Sequence, residues 1–142
     1  MTLETLHVGP AEQDGIIELL LEAFEVGPGS PLADARLFDW KVLAARPDSS
    51  QPRGYVTKKD GQPVAYSGLW PVALLTPAGP VPSGHIIDWV ARPGVPGVGI
   101  RLLKQMVSQI GPLLTLVVMR RPVASCLRLG SGWSASLTIT PG

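Results

Sequence analysis

Gly94-Val-Pro-Gly-Val-Gly-Ile-Arg101 is the stretch on which the fold turns. A strand-like run, His85-Ile-Ile-Asp-Trp-Val-Ala91, enters it, and a helix-like run over residues 100–110 leaves it. Strand, glycine-rich turn and helix in that order put the unpaired first N–H groups of the helix, and roughly half a unit of positive dipole charge, at a turn open to an anion. Such a turn suits a pyrophosphate. A tight strand-to-helix connection with no ligand needs the same residues, so context must separate the two.

Spacing excludes two familiar cradles. A P-loop requires Gly-Lys and then Ser or Thr at the helix start, whereas Ile100 and Arg101 follow Gly99 here. A dinucleotide fingerprint requires a third glycine where Leu102 stands, inside an early βαβ unit that is missing.

Outward from the turn, residues 2–8 alternate weakly as a first strand. Ile16, Ile17, Leu19, Leu20, Ala23 and Phe24 recur at helical spacing before Gly27-Pro28-Gly29. A second helix is expected over residues 33–45, with Leu37, Trp40, Val42 and Leu43 on overlapping faces. Trp40 is expected in the core, where a helical aromatic usually packs. Residues 53–59 and 63–70 flank Asp60-Gly61, a strong hairpin signal, and residues 72–76 extend that sheet. Residues 77–82 are expected as a loop, 113–119 as a strand, 122–129 as a short helix and 134–140 as a last strand. These make one α/β (α+β) domain over residues 1–142, with a mixed, mostly antiparallel central sheet flanked by helices.

The order and the glycine turn together resemble the GCN5-related N-acetyltransferases, in which the fourth strand leads through R/Q-x-x-G-x-G/A into a long helix. Gly97 and Gly99 match the two small positions; Gly94 stands in place of the Arg or Gln, and Pro96 has no N–H to offer. The helix Leu37-Phe38-Asp39-Trp40-Lys41 followed by Gly54-Tyr55-Val56 and Asp60-Gly61-Gln62 is similar to a bacterial subset of the family, where this segment shapes the acceptor pocket.

The resemblance implies an acyl-CoA N-acyltransferase-like fold, acetyl-coenzyme A as co-substrate and a small-molecule or peptide amine as acceptor. It implies pyrophosphate contacts from the N–H groups of Val95, Gly97, Val98, Gly99 and Ile100, with Arg101 as charge partner. A backbone N–H at Val90 or Ala91 would face the acetyl carbonyl. Near the C-terminus the family's N-x-x-A-x-x-L-Y pattern is met by Ala124 and Leu127, while Arg121 and Arg128 replace its Asn and its acid Tyr. Arginine does not give up a proton near neutral pH. Arg120-Arg-Pro-Val-Ala-Ser-Cys-Leu127 can be written in GC-rich codons that, displaced by two bases, spell Pro-Thr-Arg-Arg-Ile-Leu-Pro. A frame shift near Leu116, leaving the C-terminal hairpin incomplete, is therefore the expectation for this end.

Transfer to an amine needs a proton acceptor, a polarised thioester and a proton for the leaving thiolate. Asp88 on the entering strand is the first candidate base and His85 the second, with a purely structural hydrogen bond as the alternative for Asp88. Tyr55 and Tyr66 are candidate acids, or packing residues. Cys126 is set aside as a nucleophile because no sequence argument brings His7 or His85 to it. Asp14, Glu18, Glu22 and Glu25 read as a solvated helix face, with attraction of a cationic acceptor as the alternative.

Composition bounds the rest. A 45% apolar share can build a core, and 12 basic against 11 acidic residues argues against a nucleic-acid partner held by bulk charge. The lone cysteine rules out a disulfide framework or multi-cysteine metal site and fits a reducing cytoplasm. No apolar run approaches a membrane span. An exposed last strand would allow a homodimer by pairing with a second copy. A non-catalytic domain of the same fold, binding acetyl-coenzyme A or a partner, is the alternative to an enzyme.

Overall fold

The computed structural model describes residues 2–47 and 51–115. A five-stranded sheet runs in the order β1 (Leu3–His7), β2 (Gly54–Lys59), β3 (Gln62–Thr76), β4 (Gly79–Ala91) and β5 (Leu113–Thr115). The first four strands pair antiparallel and β5 lies parallel to β4. The hairpin expected at Asp60-Gly61 forms, with φ of 50° and 84° at its two turn residues. Those left-handed angles suit Asp and Gly and match the twist of the flanking strands.

Each face of the sheet carries its own apolar layer. Helix α1 (Gln13–Phe24) lays Ile16, Leu19 and Leu20 against Val56, Tyr66 and Val90, with Phe38 and Val42 completing that cluster. On the other face, α3 (Val98–Ile110) presents Val98, Leu102 and Met106 at four-residue spacing to Tyr55, Ala65 and Leu69. Full burial of a residue such as Leu19 or Leu102 stabilises by about 2 kcal/mol. Alternation along β3 therefore decides which side chains face the putty of each layer: Tyr66 belongs to the α1 side, Ala65 and Leu69 to the α3 side.

Two sequence expectations change. Residues 79–82 continue β4 instead of forming a loop, leaving only Pro77 and Ala78 between the strands. Gly84 N–H points to Pro112 O on the outer side, so alternation sends the nitrogens of Pro80 and Pro82 to that same outer edge, away from β3. The missing donors thus cost no β3–β4 hydrogen bond. The expected helix over 33–45 is broken into a 3₁₀ turn at Pro31–Ala33, α2 (Ala35–Phe38) and a π turn at Asp39–Leu43, whose wide ring is closed by Ala44 N–H donating to Asp39 O at 2.7 Å. Asp34 caps α2, accepting from Arg36 and Leu37 N–H at 2.9 and 3.3 Å. The segments expected over 122–129 and 134–140, the frame-shift site near Leu116, Arg121, Cys126 and Arg128 lie outside the described residues.

Candidate active site

A β-bulge marks the strand that enters the glycine turn. Between the pairs Tyr66–Val90 and Gly68–Ile87, Asp88 and Trp89 on β4 oppose the single Ser67 on β3, and Asp88 takes φ of 52°. Left-handed backbone is uncommon for a side chain other than Gly, though Asp tolerates it better than most. Beyond the bulge, Arg92 N–H donates to Val64 O at 2.7 Å, so alternation turns the Val90 N–H to β3 and the Ala91 N–H to the opposite edge. On that edge β5 pairs only with residues 84–86 of β4, and no described strand pairs with residues 87–91. Of the two N–H groups named from the sequence, it is Ala91 that faces away from β3, on the β5 side.

Asp88 does not stand alone. Lys41, from the π turn, donates to its Oδ2, and both side chains are about four-fifths buried. The hydroxyl of Tyr66 lies near the bulge, 3.0 Å from where a Cβ on Gly68 would sit. Burial, and then the neighbouring Asp88 charge, push the Tyr66 hydroxyl well above the usual phenol range, so it keeps its proton. Tyr55 is also raised by burial, but it lies on β2, edge-on to His7 with ring centroids 4.9 Å apart. His85 is paired with Trp70 across β3, three residues before Asp88. The site thus brings Asp88, Lys41, Tyr66 and Ala91 to one section of β4, leaving Tyr55 outside it and His85 further along the strand.

The glycine turn has the openness an anion needs. Gly94 and Gly97 hold φ of 85° and 75°, and a Cβ on either would meet nothing within 4 Å. Gly97 is the N-cap of α3; Arg101 N–H donates back to its carbonyl at 2.9 Å and Val98 N–H to Val95 O at 3.4 Å. The N–H groups of Gly97, Gly99 and Ile100 have no backbone partner among the described residues, and Arg101 is exposed beside them. Val98 is therefore a weaker donor than its neighbours, and Val95 leans into the α3-side cluster. Gly99 serves packing: a Cβ there would come within 3.1 Å of Ala91 and 3.3 Å of the Trp89 ring. These residues fit a diphosphate at the helix start. No group of three or more His, Cys, Asp or Glu gathers among the described residues as a metal site would need, and no described helix is long and apolar enough to cross a membrane.

Sequence reasoning pointed to the segment before the first hairpin but misplaced its tryptophan. Trp40, expected in the core, is 58% exposed. Its ring stands 5.4 Å from that of Trp70, and the Arg46 guanidinium lies over Trp70 at 4.4 Å. Arg53, itself buried, donates from Nη1 to Trp40 O at 2.9 Å. Trp40, Ala44, Ala45, Arg46, Pro47 and Trp70 line a cavity of about 540 Å³ together with Arg53. Only the Trp-Lys pair in the sequence hinted at this wall, and nothing local revealed that Lys41 meets a residue 47 positions later.

No family model and no curated protein sequence matches the chain. Solved structures do. The chain is similar to a GCN5-related N-acetyltransferase from Kribbella flavida, with a TM-score of 0.60 at 15% identity over 77% of this chain and 27% of that one. A GNAT family acetyltransferase from Staphylococcus aureus gives 0.61 at 14% identity, over 96% of this chain and 100% of that one. The fold is that of the GCN5-related N-acetyltransferases. A further protein of that name, from Anabaena variabilis, agrees with a TM-score of 0.57 at 12% identity over 76% of this chain and 26% of its own. The chain spans about a quarter of the Kribbella and Anabaena proteins, and the full length of the Staphylococcus one. Within this acetyltransferase fold, bulge, Ala91 and glycine turn follow one another along β4 and into α3.

Proposed function

We propose that the chain binds acetyl-coenzyme A along the β5 side of β4 beyond Ile86 and at the start of α3, and transfers its acetyl group to an amine on a small molecule or peptide. The observation that carries this reading is the Ala91 N–H, turned away from β3 between the bulge and the glycine turn. A fixed N–H aimed at a carbonyl oxygen stabilises the negative charge that grows there as an amine attacks. The N–H groups of Gly97, Gly99 and Ile100, with the Arg101 guanidinium, hold the diphosphate, anchoring the reactive end at the bulge. Holding both reactants in one place supplies much of the acceleration.

In the transfer a nitrogen–carbon bond forms and the carbon–sulfur bond breaks. The proton leaving the amine passes to the Asp88 carboxylate, directly or through water, while Lys41 keeps that carboxylate oriented. The departing sulfur is protonated from solvent, because the raised Tyr66 hydroxyl holds its proton too tightly to give it to a thiolate. His85, about 10 Å from the bulge by three residues of strand rise, is the second candidate base.

Calorimetry with acetyl-coenzyme A and with desulfo-coenzyme A tests the binding step; absence of heat and of a thermal shift overturns it. Thiol release across a panel of amines tests the chemistry. Binding without release would favour the non-catalytic reading of the same site.

A further inference from the structure

We propose that Arg53 is a positioning residue of the transfer site: it grips the peptide between Trp40 and Lys41 and so aims Lys41 at Asp88. Its effect on turnover rests on the transfer reading above, whereas its effect on Lys41 rests on contacts in the fold alone. The π turn creates the need. In an α-helix the Ala44 N–H would donate to Trp40 O; here it donates to Asp39 O at 2.7 Å, one residue further back, and Trp40 O is left for another donor. Arg53 Nη1 supplies that donor at 2.9 Å. The oxygen it binds belongs to the planar peptide group that also contains the Lys41 nitrogen and Cα. Fixing that plane fixes the point from which the Lys41 side chain sets out.

Arg53 is well anchored for such a task. It is 6% exposed, and its own carbonyl accepts from Leu69 N–H at 2.8 Å, which ties its backbone to β3 immediately before β2 begins. Burying a guanidinium costs free energy that its hydrogen bonds must offset. Its planar fork loses less freedom per hydrogen bond than a lysine chain would, which suits it to holding a turn still. From the gripped peptide the line of contacts is short. Lys41 donates to Asp88 Oδ2, and Asp88 stands in the bulge at φ of 52° as the base of the proposed transfer. A base displaced by about 1 Å can lose about a hundredfold in rate.

The test compares Arg53→Met, which keeps bulk without a donor, with Arg53→Lys, which keeps a charge and a donor. Labelling of lysines by N-hydroxysuccinimidyl acetate, followed by peptide mass spectrometry, reads the position of Lys41, with Lys104, exposed on α3, as internal reference. Relative to Lys104, Lys41 should label about tenfold faster in Arg53→Met than in the parent, the factor carried by loss of one hydrogen bond from a charged donor. Arg53→Lys should stay close to the parent. In thiol release with whichever amine turns over fastest, Arg53→Met should lower kcat about 10- to 100-fold with the acetyl-coenzyme A dissociation constant unchanged, and Arg53→Lys should recover most of it. In a Lys41→Met background, Arg53→Met should lower kcat no further. Calorimetry with acetyl-coenzyme A and a thermal melt check the fold of each variant; should Arg53→Met not fold, Arg53→Gln, too short to reach Trp40 O, repeats the comparison. Unchanged Lys41 labelling, or equal losses of kcat with and without Lys41, overturns this inference alone. Absence of acetyl-coenzyme A binding or of thiol release removes the transfer reading, and the labelling still decides whether Arg53 positions Lys41.

Discussion

Replacing Gly97 separates what its backbone costs from what its openness permits. Its φ of 75° is left-handed, and a Cβ would meet nothing within 4 Å, so Gly97→Ala pays only for backbone strain. That strain is about 1–2 kcal/mol, or a Tm loss of about 4–8 °C at roughly 4 °C per kcal/mol for a chain of this size. Gly61, in the β2–β3 turn, has φ of 84° and the same empty surroundings; Gly61→Ala should lower Tm equally and serves as the matched control. The two diverge at the ligand. Gly97→Leu fills the space before the N–H groups of Gly97, Gly99 and Ile100, and loss of even one hydrogen bond to a charged oxygen costs about 1.5–3 kcal/mol. Affinity for acetyl-coenzyme A should therefore fall about 10- to 150-fold, measured by calorimetry well below both midpoints, while Gly61→Ala binds as the parent does. An unchanged dissociation constant in Gly97→Leu, or an equal loss in Gly61→Ala, would refute a diphosphate at this main chain.

Four further outcomes are expected. The Glu12 carboxyl is held below its ordinary value of 4.5 chiefly by the hydrogen bond from Lys58, 2.8 Å away; a lowered folded value means its stabilisation is present above the unfolded value and lost as pH falls. Glu12→Gln should thus cost about 1 kcal/mol at neutral pH, with the gap to the parent closing as urea melts are taken from about pH 5 to pH 3; a gap that persists at the acid end would count against the ion pair. Lys41→Met leaves the Asp88 carboxylate without its partner at a left-handed residue, for a loss of about 1–2 kcal/mol, and Asp88→Asn should lower kcat while sparing acetyl-coenzyme A affinity; unchanged turnover in Asp88→Asn would remove it as the base. Gly68→Ala drives a Cβ to 2.7 Å from Ile87 Cγ1 and 3.0 Å from Ile87 O, so thermal denaturation should show a loss of about 1–3 kcal/mol; a neutral result would mean that the bulge region yields freely.

What could be read from the chain was local. Asp60-Gly61 declares its turn because left-handed backbone selects those residues, and the apolar spacing of α1 and α3 declares their buried faces. Gly94 and Gly97 announce a turn of unusual backbone for the same reason. The prolines at 80 and 82 misled because their effect depends on which edge of a strand their nitrogens face, and that is settled by the neighbouring strand. Bulge and π turn were equally hidden. Each is fixed by pairing across the fold: Ser67 opposing two residues, and Lys41 meeting Asp88. Trp40 was assigned to the core by a helical spacing that the π turn then broke.

The two irregularities have a common arithmetic. A β-bulge is one residue more than its partner strand requires, and a π turn is one residue more than the α-helix it interrupts. In this chain the two surpluses meet through Lys41 and Asp88. Removing a single codon from residues 39–43 would restore ordinary helical winding and swing Trp40 by about 100° around the axis. Removing one at 88–89 would square the strands and turn Asp88 away. The cleft can therefore be retuned by gain or loss of one triplet on either side, though on the helical side Val42 ties the change to the α1-side apolar layer.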